Sequence, residues 1–277
     1  MSFEKHLQYL GVRPNLAYGQ NFVVDRNLIE REVAYADVQS SDKILEIGPG
    51  IGNLTECLLQ RAKHVVAIEC DRQFVLPLDD LKRRYDSFSV LWGDALKIDF
   101  PIYDKVVANL PYKSALPLLF KLVGRKYISA TLMVQLGLAK RICAQVNQPR
   151  YCRLSVTLGR LARVEFIEKI GREQFYPCPE VDSALIRVER IRPRFKIPSE
   201  KFFKHVLDAL FALRGQTVER VMRIDKSKIF SERAIKLLPG KIRNKLVRQV
   251  TPSEFGHITQ ISWENGSEGF SKRYNSL

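Results

Sequence analysis

Cysteine is scarce and scattered. The five, Cys57, Cys70, Cys143, Cys152 and Cys178, include no C-x-x-C pair and are odd in number, so neither a disulfide framework nor a zinc cluster is indicated. Histidine is as thin: His6, His64, His205 and His257 stand far apart, which favours surface or packing roles over metal binding or catalysis. No metal is expected. No apolar run approaches the length that spans a bilayer. Met1 to Leu10 mixes Glu4, Lys5 and His6 with apolar residues, unlike the continuous apolar segment of a secretory leader. A soluble, cytoplasmic, monomeric protein with no membrane partner is the expectation. Internal repeats and low-complexity stretches are also missing; the tail from Asn265, rich in Ser and Gly, is expected to fray.

What is present points elsewhere. The 277 residues, 45% of them hydrophobic, suffice for one well-buried core plus a smaller appendage. The formal charge is +15, and it is unevenly spread: Arg190 to Leu277 carry 19 Lys and Arg against 8 Asp and Glu, the preceding residues 26 against 22. A strongly basic last third faces a polyanion, and without a continuous apolar face for a membrane surface, nucleic acid is the partner expected.

The first two thirds alternate apolar runs with helical patterns, as a parallel α/β sheet does. Lys43 to Ile47 reads as a strand that enters Gly48-Pro49-Gly50-Ile51-Gly52, with a helical stretch from Asn53 to Arg61. Glycines after a first strand let the backbone approach a nucleotide-like ligand closely. A Glu46 before G-x-G-x-G is the pattern associated with S-adenosylmethionine-binding methyltransferases. His64 to Ile68 ends in Glu69, 21 positions after Gly48, where an acid can accept ribose hydroxyls. Ser89 to Trp92 ends in Gly93-Asp94-Ala95, where Asp94 can accept an adenine amine. Singly, Glu69 reads as well as a surface cap and Asp94 as a helix N-cap; three successive strands delivering suitable groups to one sheet edge make the ligand reading the stronger.

Lys105 to Ala108 is a fourth buried strand, and it stops in Asn109-Leu110-Pro111-Tyr112. The Asn109 side-chain oxygen and the Leu110 carbonyl can accept hydrogen bonds, Pro111 stiffens the turn, and Tyr112 offers a flat face; an exocyclic amine on a planar base fits such a pocket. The bland alternative is a strand-to-loop turn with a core tyrosine. Further on, helices are predicted over Pro117–Val123, Leu138–Val146 and Leu154–Leu161, and strands over Ile128–Val134, Val164–Ile170 and Ser183–Val188. Phe175-Tyr176-Pro177-Cys178-Pro179 forms a rigid loop whose aromatics either stack on a base or fill the core. Arg190–Pro198 reads as a linker. Beyond it Ser199 caps a helix to about Leu213, and Thr251-Pro252-Ser253-Glu254 is a capping box. Before the sheet, Gly19 to Asp25 is a turn and short apolar stretch, with Asp25 capping a helix from Asn27.

Gly19-Gln20-Asn21-Phe22, Glu46-Ile47-Gly48-Pro49-Gly50, Ile68-Glu69, Gly93-Asp94-Ala95, Asn109-Leu110-Pro111-Tyr112, Arg153-Leu154-Ser155-Val156 and Phe175-x-Pro-x-Pro with Val181-Asp182-Ser183-Ala184 together resemble the KsgA/Dim family of rRNA adenine dimethyltransferases. The motifs run in family order over nearly the whole chain, and the Asn-Leu-Pro-Tyr and Phe-x-Pro-x-Pro pair is the most specific. The resemblance implies a Rossmann-like class I methyltransferase domain over residues 1–190 and a smaller basic helical RNA-binding domain over 191–277. It implies S-adenosyl-L-methionine as donor and, as substrate, two adjacent adenosines near the 3′ end of small-subunit rRNA, free or in a pre-30S/40S-type particle, in ribosome biogenesis. It carries over Gln20, Asn21, Val23, Glu46, Gly48, Gly50, Glu69, Asp94, Ala95 and Asn109 as cofactor contacts, and Asn109, Leu110, Pro111, Tyr112 and Phe175 as the pocket for the target base.

Some positions depart from that pattern. No basic residue stands in Asn15-Leu16-Ala17-Tyr18 before Gly-Gln-Asn-Phe, Gly137 replaces an acid, Cys152 a glycine and Glu180 a lysine, and the basic helix start of the C-terminal domain reads Arg214-Gly215-Gln216-Thr217. These changes touch RNA contacts and target choice more than chemistry. Two other readings follow: an Erm-type methyltransferase of large-subunit rRNA, and a nucleic-acid-binding assembly or transcription factor that keeps the fold without catalysis. A DNA adenine methyltransferase is a weaker third.

Overall fold

The computed structural model describes residues 3–15 and 19–266; of the tail from Asn265 expected to fray, Asn265 is held by hydrogen bonds with Ile261 and Ser231 and the residues beyond Gly266 lie outside the described ones, as do Leu16, Ala17 and Tyr18. The strands are β1 (Phe22–Val23), β2 (Lys43–Ile47), β3 (His64–Glu69), β4 (Phe88–Trp92), β5 (Lys105–Asn109), β6 (Ser129–Gln135), β7 (Ala162–Ile170), β8 (Phe175–Tyr176) and β9 (Ser183–Arg190). Seven form one sheet in the order β4-β3-β2-β5-β6-β9-β7, and β1 pairs with β8. The first five of that order are parallel, and β9 returns antiparallel to β6. Helices cover both faces of parallel strands, so β2 and β5 are apolar on both sides: Ile44, Leu45, Val106, Val107 and Ala108 are fully buried. Each such Leu, Ile or Val adds about 1.5–3 kcal/mol of burial.

Strand order reverses between β2 and β5. The chain steps outward from β2 to β3 and β4, then crosses back to place β5 and β6 on the other side. Ligands bind in the crevice outside the carboxyl ends of strands at such a switch point. At the opposite end of β5, Lys105 Nζ pairs with Asp42 Oδ2 at 2.9 Å and also donates to the Asp37 carbonyl, with both side chains under a tenth exposed. That buried pair fixes the register of β5 beside the turn into β2.

Contacts divide the described chain into two compact units. One comprises the residues up to Ala139 together with Arg163–Arg190; the other comprises Lys140–Ala162 together with the described residues from Ile191 on. A single division at residue 190 therefore needs correcting for residues 140–162. The reason lies in the apolar face of the helix Arg153–Leu161: Val156, with Tyr151 before it, joins the core of Phe202, Phe203, Leu210, Val221, Phe255 and Ile258. Tyr151 also donates its hydroxyl hydrogen to the Val250 carbonyl at 2.9 Å.

Of the expected linker Arg190–Pro198, Arg190 ends β9 and the rest is built into the second unit, so it is no free linker. Ile191 and Arg194 donate backbone hydrogen bonds to Leu161 and Arg160, and Phe195 packs on Phe203. The helix predicted over Leu138–Val146 runs instead over Leu136–Ile142, because Gln148 Oε1 accepts the Gln145 N–H at 2.8 Å and closes a turn there. The three predicted caps form: Asp25 accepts from Asn27 N, Ser199 Oγ accepts from Phe202 N, and Thr251 and Glu254 make a reciprocal capping box.

Candidate active site

A cleft lies outside the carboxyl ends of β2 to β5. Its glycine loop follows β2 directly, with Gly48 and Gly50 at φ +75° and +58°, a region where a side chain is strained. A Cβ at Gly50 would stand 3.0 Å from Phe22 Cε1, so the bare backbone also makes room for the lead-in. Phe22 in turn meets Phe74 edge-on at 5.9 Å.

Acids line the far wall. Glu69 Oε1 accepts the N–H groups of Cys70 and Asp71, both at 2.8 Å, and Oε2 accepts that of Gly50 at 3.2 Å. Three of a carboxylate's roughly four acceptor positions are thus engaged, and Oε2 keeps the spare one. Burial raises the Glu69 carboxyl above its ordinary range while those amides pull it back. Glu46 sits deeper at 1% exposure, and its Oε2 has no hydrogen-bond partner among the described residues. Burial pushes it up to about 8, with nearby Thr55 easing it and the charge of Glu69 adding to the rise. Asp94 Oδ1 accepts the Leu96 N–H at 2.9 Å and so closes a turn; no helix follows it to be capped, and the residue lines the cleft.

At the end of β5 the Leu110 N–H donates to the Met133 carbonyl at 3.1 Å, and Pro111 O accepts from Ser114 N at 3.0 Å. These bonds fix the turn to β6 on one side and to the following helix on the other. The Tyr112 hydroxyl lies 2.7 Å from Ser183 Oγ, which anchors the phenol tip and leaves the half-buried ring at the cleft. Burial raises the Tyr112 pKa, so the phenol stays neutral, and Ser183 offsets part of that shift.

The residues expected to hold cofactor and base all line this one cleft: Gln20, Asn21, Val23, Glu46, Gly48 and Gly50; Glu69, Asp94 and Ala95; Asn109 to Tyr112; and Phe175. Gln20 Nε2 ties the lead-in to Asp71 Oδ2 at 2.9 Å, and Asn21 Nδ2 donates to the Gly19 carbonyl. Arg153–Val156 lies in the other unit and does not line it. Arg214 there donates to the Pro149 and Gln148 carbonyls at 2.8 and 3.2 Å, which makes it a structural clamp.

Two further residues serve the site without any sequence signal. Lys121 Nζ donates to the Ala95 carbonyl at 2.7 Å and to that of Ile98, bracing the Asp94 loop. Glu32, on the helix Arg26–Tyr35, is wholly buried. The Asn109 amide nitrogen donates to its Oε1 at 2.9 Å and Oε2 at 3.1 Å in the orientation that keeps two acceptors from facing each other. Burial first, then the charge of Glu46, push Glu32 up to about 8, against the pull of Asn109. No spacing rule marks a helical Glu as inward-facing when Leu28, Ile29 and Val33 surround it.

Among the described residues no cluster of three or more His, Cys, Asp or Glu is placed to hold a metal, and no helix is long and apolar enough to cross a membrane. The model of the family described as ribosomal RNA adenine dimethylase matches residues 12–258. A protein of Methanococcus maripaludis named "Probable ribosomal RNA small subunit methyltransferase A" is 34% identical over 91% of this chain and 99% of its own length. A protein of the same name from Thermococcus sibiricus is 40% identical over 76% of each chain. Among solved structures, a dimethyladenosine transferase from Plasmodium falciparum matches with a TM-score of 0.74 at 25% identity, over 86% of this chain and 95% of its own. The 23S rRNA methyltransferase ErmE matches with 0.66 at 25% identity, over 87% and 98%. This chain belongs to the ribosomal RNA adenine dimethylase family.

Proposed function

We propose that this protein methylates the N6 amine of adenosines in small-subunit rRNA, with S-adenosylmethionine as donor and two adjacent adenosines near the 3′ end as target. The observation that carries the reading is the meeting of the Asn109–Tyr112 turn with the glycine loop and Glu69 in one cleft at the switch point of the sheet. The residues fit the donor. Bare backbone at Gly48 and Gly50 admits a flat ligand, the spare acceptor on Glu69 Oε2 suits a ribose hydroxyl, and the unpartnered Glu46 Oε2 suits an ammonium group. When bound, the donor supplies an electrophilic methyl on a sulfonium.

The chain's own part is positioning. An adenine N6 lone pair is delocalised into the ring, so it is a poor nucleophile until its hydrogens are held out of the ring plane. Asn109 Oδ1 and the Leu110 carbonyl accept those hydrogens and favour a more tetrahedral nitrogen. Tyr112, its tip tied to Ser183, holds the flipped base by stacking, with Phe175 beside it. The exposed Lys201, Lys204, Arg220, Lys226, Lys228 and Lys241 of the second unit supply the phosphate contacts that bring RNA to the site.

Sequence relatives favour the small subunit over the large one. Purified protein with labelled donor is expected to label small ribosomal subunits that lack the modification, and mass spectrometry is expected to place dimethyladenosine near the 3′ end. Label confined to large-subunit rRNA would move the assignment to the Erm class, and label on DNA alone would remove RNA as substrate.

A further inference from the structure

An asparagine amide has two faces of nearly equal size and opposite hydrogen-bonding sense. Only one orientation of Asn109 presents an acceptor to the cleft, and nothing in its own shape selects it. The selection comes from behind. Glu32 is wholly buried, and in the amide orientation that sets donor against acceptor both of its oxygens accept from the Asn109 amide nitrogen, at 2.9 and 3.1 Å. An ionised carboxylate can only accept, so it draws the nitrogen inward and turns Oδ1 away from itself. A protonated Glu32 has a hydrogen to donate and tolerates either orientation.

We propose that Glu32 is a positioning residue for methyl transfer: its carboxylate holds Asn109 with Oδ1 toward the target amine, and its protonation releases that hold. The proposal rests on the reading of Asn109 as acceptor for the N6 hydrogens.

Two observations support it beyond the contact itself. Glu32 shares the inward face of its helix with Leu28, Ile29 and Val33, where an apolar residue would pack without stranding a charge. Among the described residues no cation forms an ion pair with it either. The cations on its helix or against it are engaged elsewhere: Arg26 with Glu30, Arg31 with Glu168, and Arg187 with the Tyr35 carbonyl. What faces Glu32 is Glu46 on β2, which itself feels Glu69 on β3, so the group is held near neutral pH with its carboxyl at about 8. A cationic donor in the cleft favours the ionised form and therefore the productive orientation of Asn109.

The test compares Glu32→Gln, Glu32→Asp and Asn109→Ala with the parent in single-turnover methylation of unmodified small subunits across pH. Melting temperature and donor affinity are measured alongside. Glu32→Gln is close in shape, so donor affinity is expected within about threefold of the parent. Its amide can donate as well as accept, so Asn109 loses its preferred orientation and the maximal rate falls about tenfold or more. The parent's rise in rate between about pH 6 and 8 disappears in Glu32→Gln and is displaced in Glu32→Asp. Adding Asn109→Ala to Glu32→Gln is expected to cost little more than Asn109→Ala alone, since the two act as a unit. Parental rate and pH profile in Glu32→Gln, beside a crippled Asn109→Ala, overturn the proposal alone; a parental rate in Asn109→Ala overturns the reading beneath it as well. Should Glu32→Gln fail to fold, Glu32→Asp decides, and an unchanged pH profile there overturns the proposal.

Discussion

Val23 stands opposite Phe175 in a two-residue antiparallel ladder, with Phe22 opposite Tyr176 beside it. Two segments far apart in the chain thus close over the same cleft, one from the lead-in and one from the loop before the last strand. The backbone bond from Val24 N to Gln174 O, 3.0 Å long, extends the ladder by one rung. Phe175 is 5% exposed and belongs to the core while it lines the cleft, so its packing and its contact with a base have to be separated by experiment.

Phe175→Ala is expected to lower stability by about 3 kcal/mol through the cavity it leaves. Phe175→Leu refills most of that volume at a cost of roughly 1.5 kcal/mol or less. If the ring also stacks on the base, the Leu variant keeps donor affinity and still methylates more slowly. Urea titration and single-turnover rates on both variants check this. A Leu variant as fast as the parent leaves the ring a packing role only.

How much of this was legible beforehand follows from the kind of signal each residue carries. Glu46, Glu69, Asp94 and Asn109 stand at the ends of apolar runs, and in a parallel sheet the end of a run is a fixed place. Gly48 and Gly50 announce themselves because a positive φ is needed there. The lead-in was placed near the site only through the family pattern; its pairing with Phe175 is a long-range contact without periodicity. Residues 140–162 looked like more of the first domain because helix periodicity shows which face is apolar but not which core receives it. Glu32 and Lys121 stayed hidden for a related reason: a lone charged residue on a helix reads as solvated until its partner is known.

The loop that carries Asp94 and Ala95 depends on Lys121. Its ammonium donates to the Ala95 and Ile98 carbonyls and lies 4.3 Å from the centre of the Phe100 ring. Lys121→Met keeps the stem and removes the charged donor. Hydrogen bonds to charged groups contribute about 1.5–3 kcal/mol, so donor Kd is expected to rise about tenfold as the loop loosens. The rate at saturating donor should change little. Calorimetric titration against the parent decides; an unchanged Kd means the turn closed by Asp94 holds the loop unaided.

The buried pair Lys105–Asp42 sits at the foot of β5, away from the cleft. Asp42→Ala leaves an unpaired ammonium inside the fold and is expected to destabilise by about 3–5 kcal/mol, whereas replacing both residues by apolar ones of similar volume recovers most of that loss. Donor affinity of the folded double variant should match the parent. Denaturant midpoints of the single and double variants, compared at equal slope, are the measurement. A single variant as stable as the parent shows that water reaches Lys105.

Glu32 and Glu46 both carry carboxyls at about 8 in the folded protein, against an ordinary value of 4.5. The direction of the pH effect follows from which state holds more protons. Below about pH 4.5 folded and unfolded chains are both protonated at these sites; as pH rises toward about 8 the unfolded chain ionises first and the folded one lags. The stability these groups contribute is therefore full below the lower value and is lost as pH passes the upper one. Burial is the main cause of both shifts, and a ligand that brings positive charge into the cleft opposes it. Donor binding at pH 7 is thus expected to release up to about two protons from this coupled pair, and donor affinity to rise with pH across the window. The demethylated product, which lacks the sulfonium charge, should release fewer. Titration calorimetry in two buffers of different ionisation enthalpy counts the protons directly. An observed enthalpy independent of buffer would mean that both carboxyls are already ionised before the donor arrives, and that burial is offset by water in the cleft.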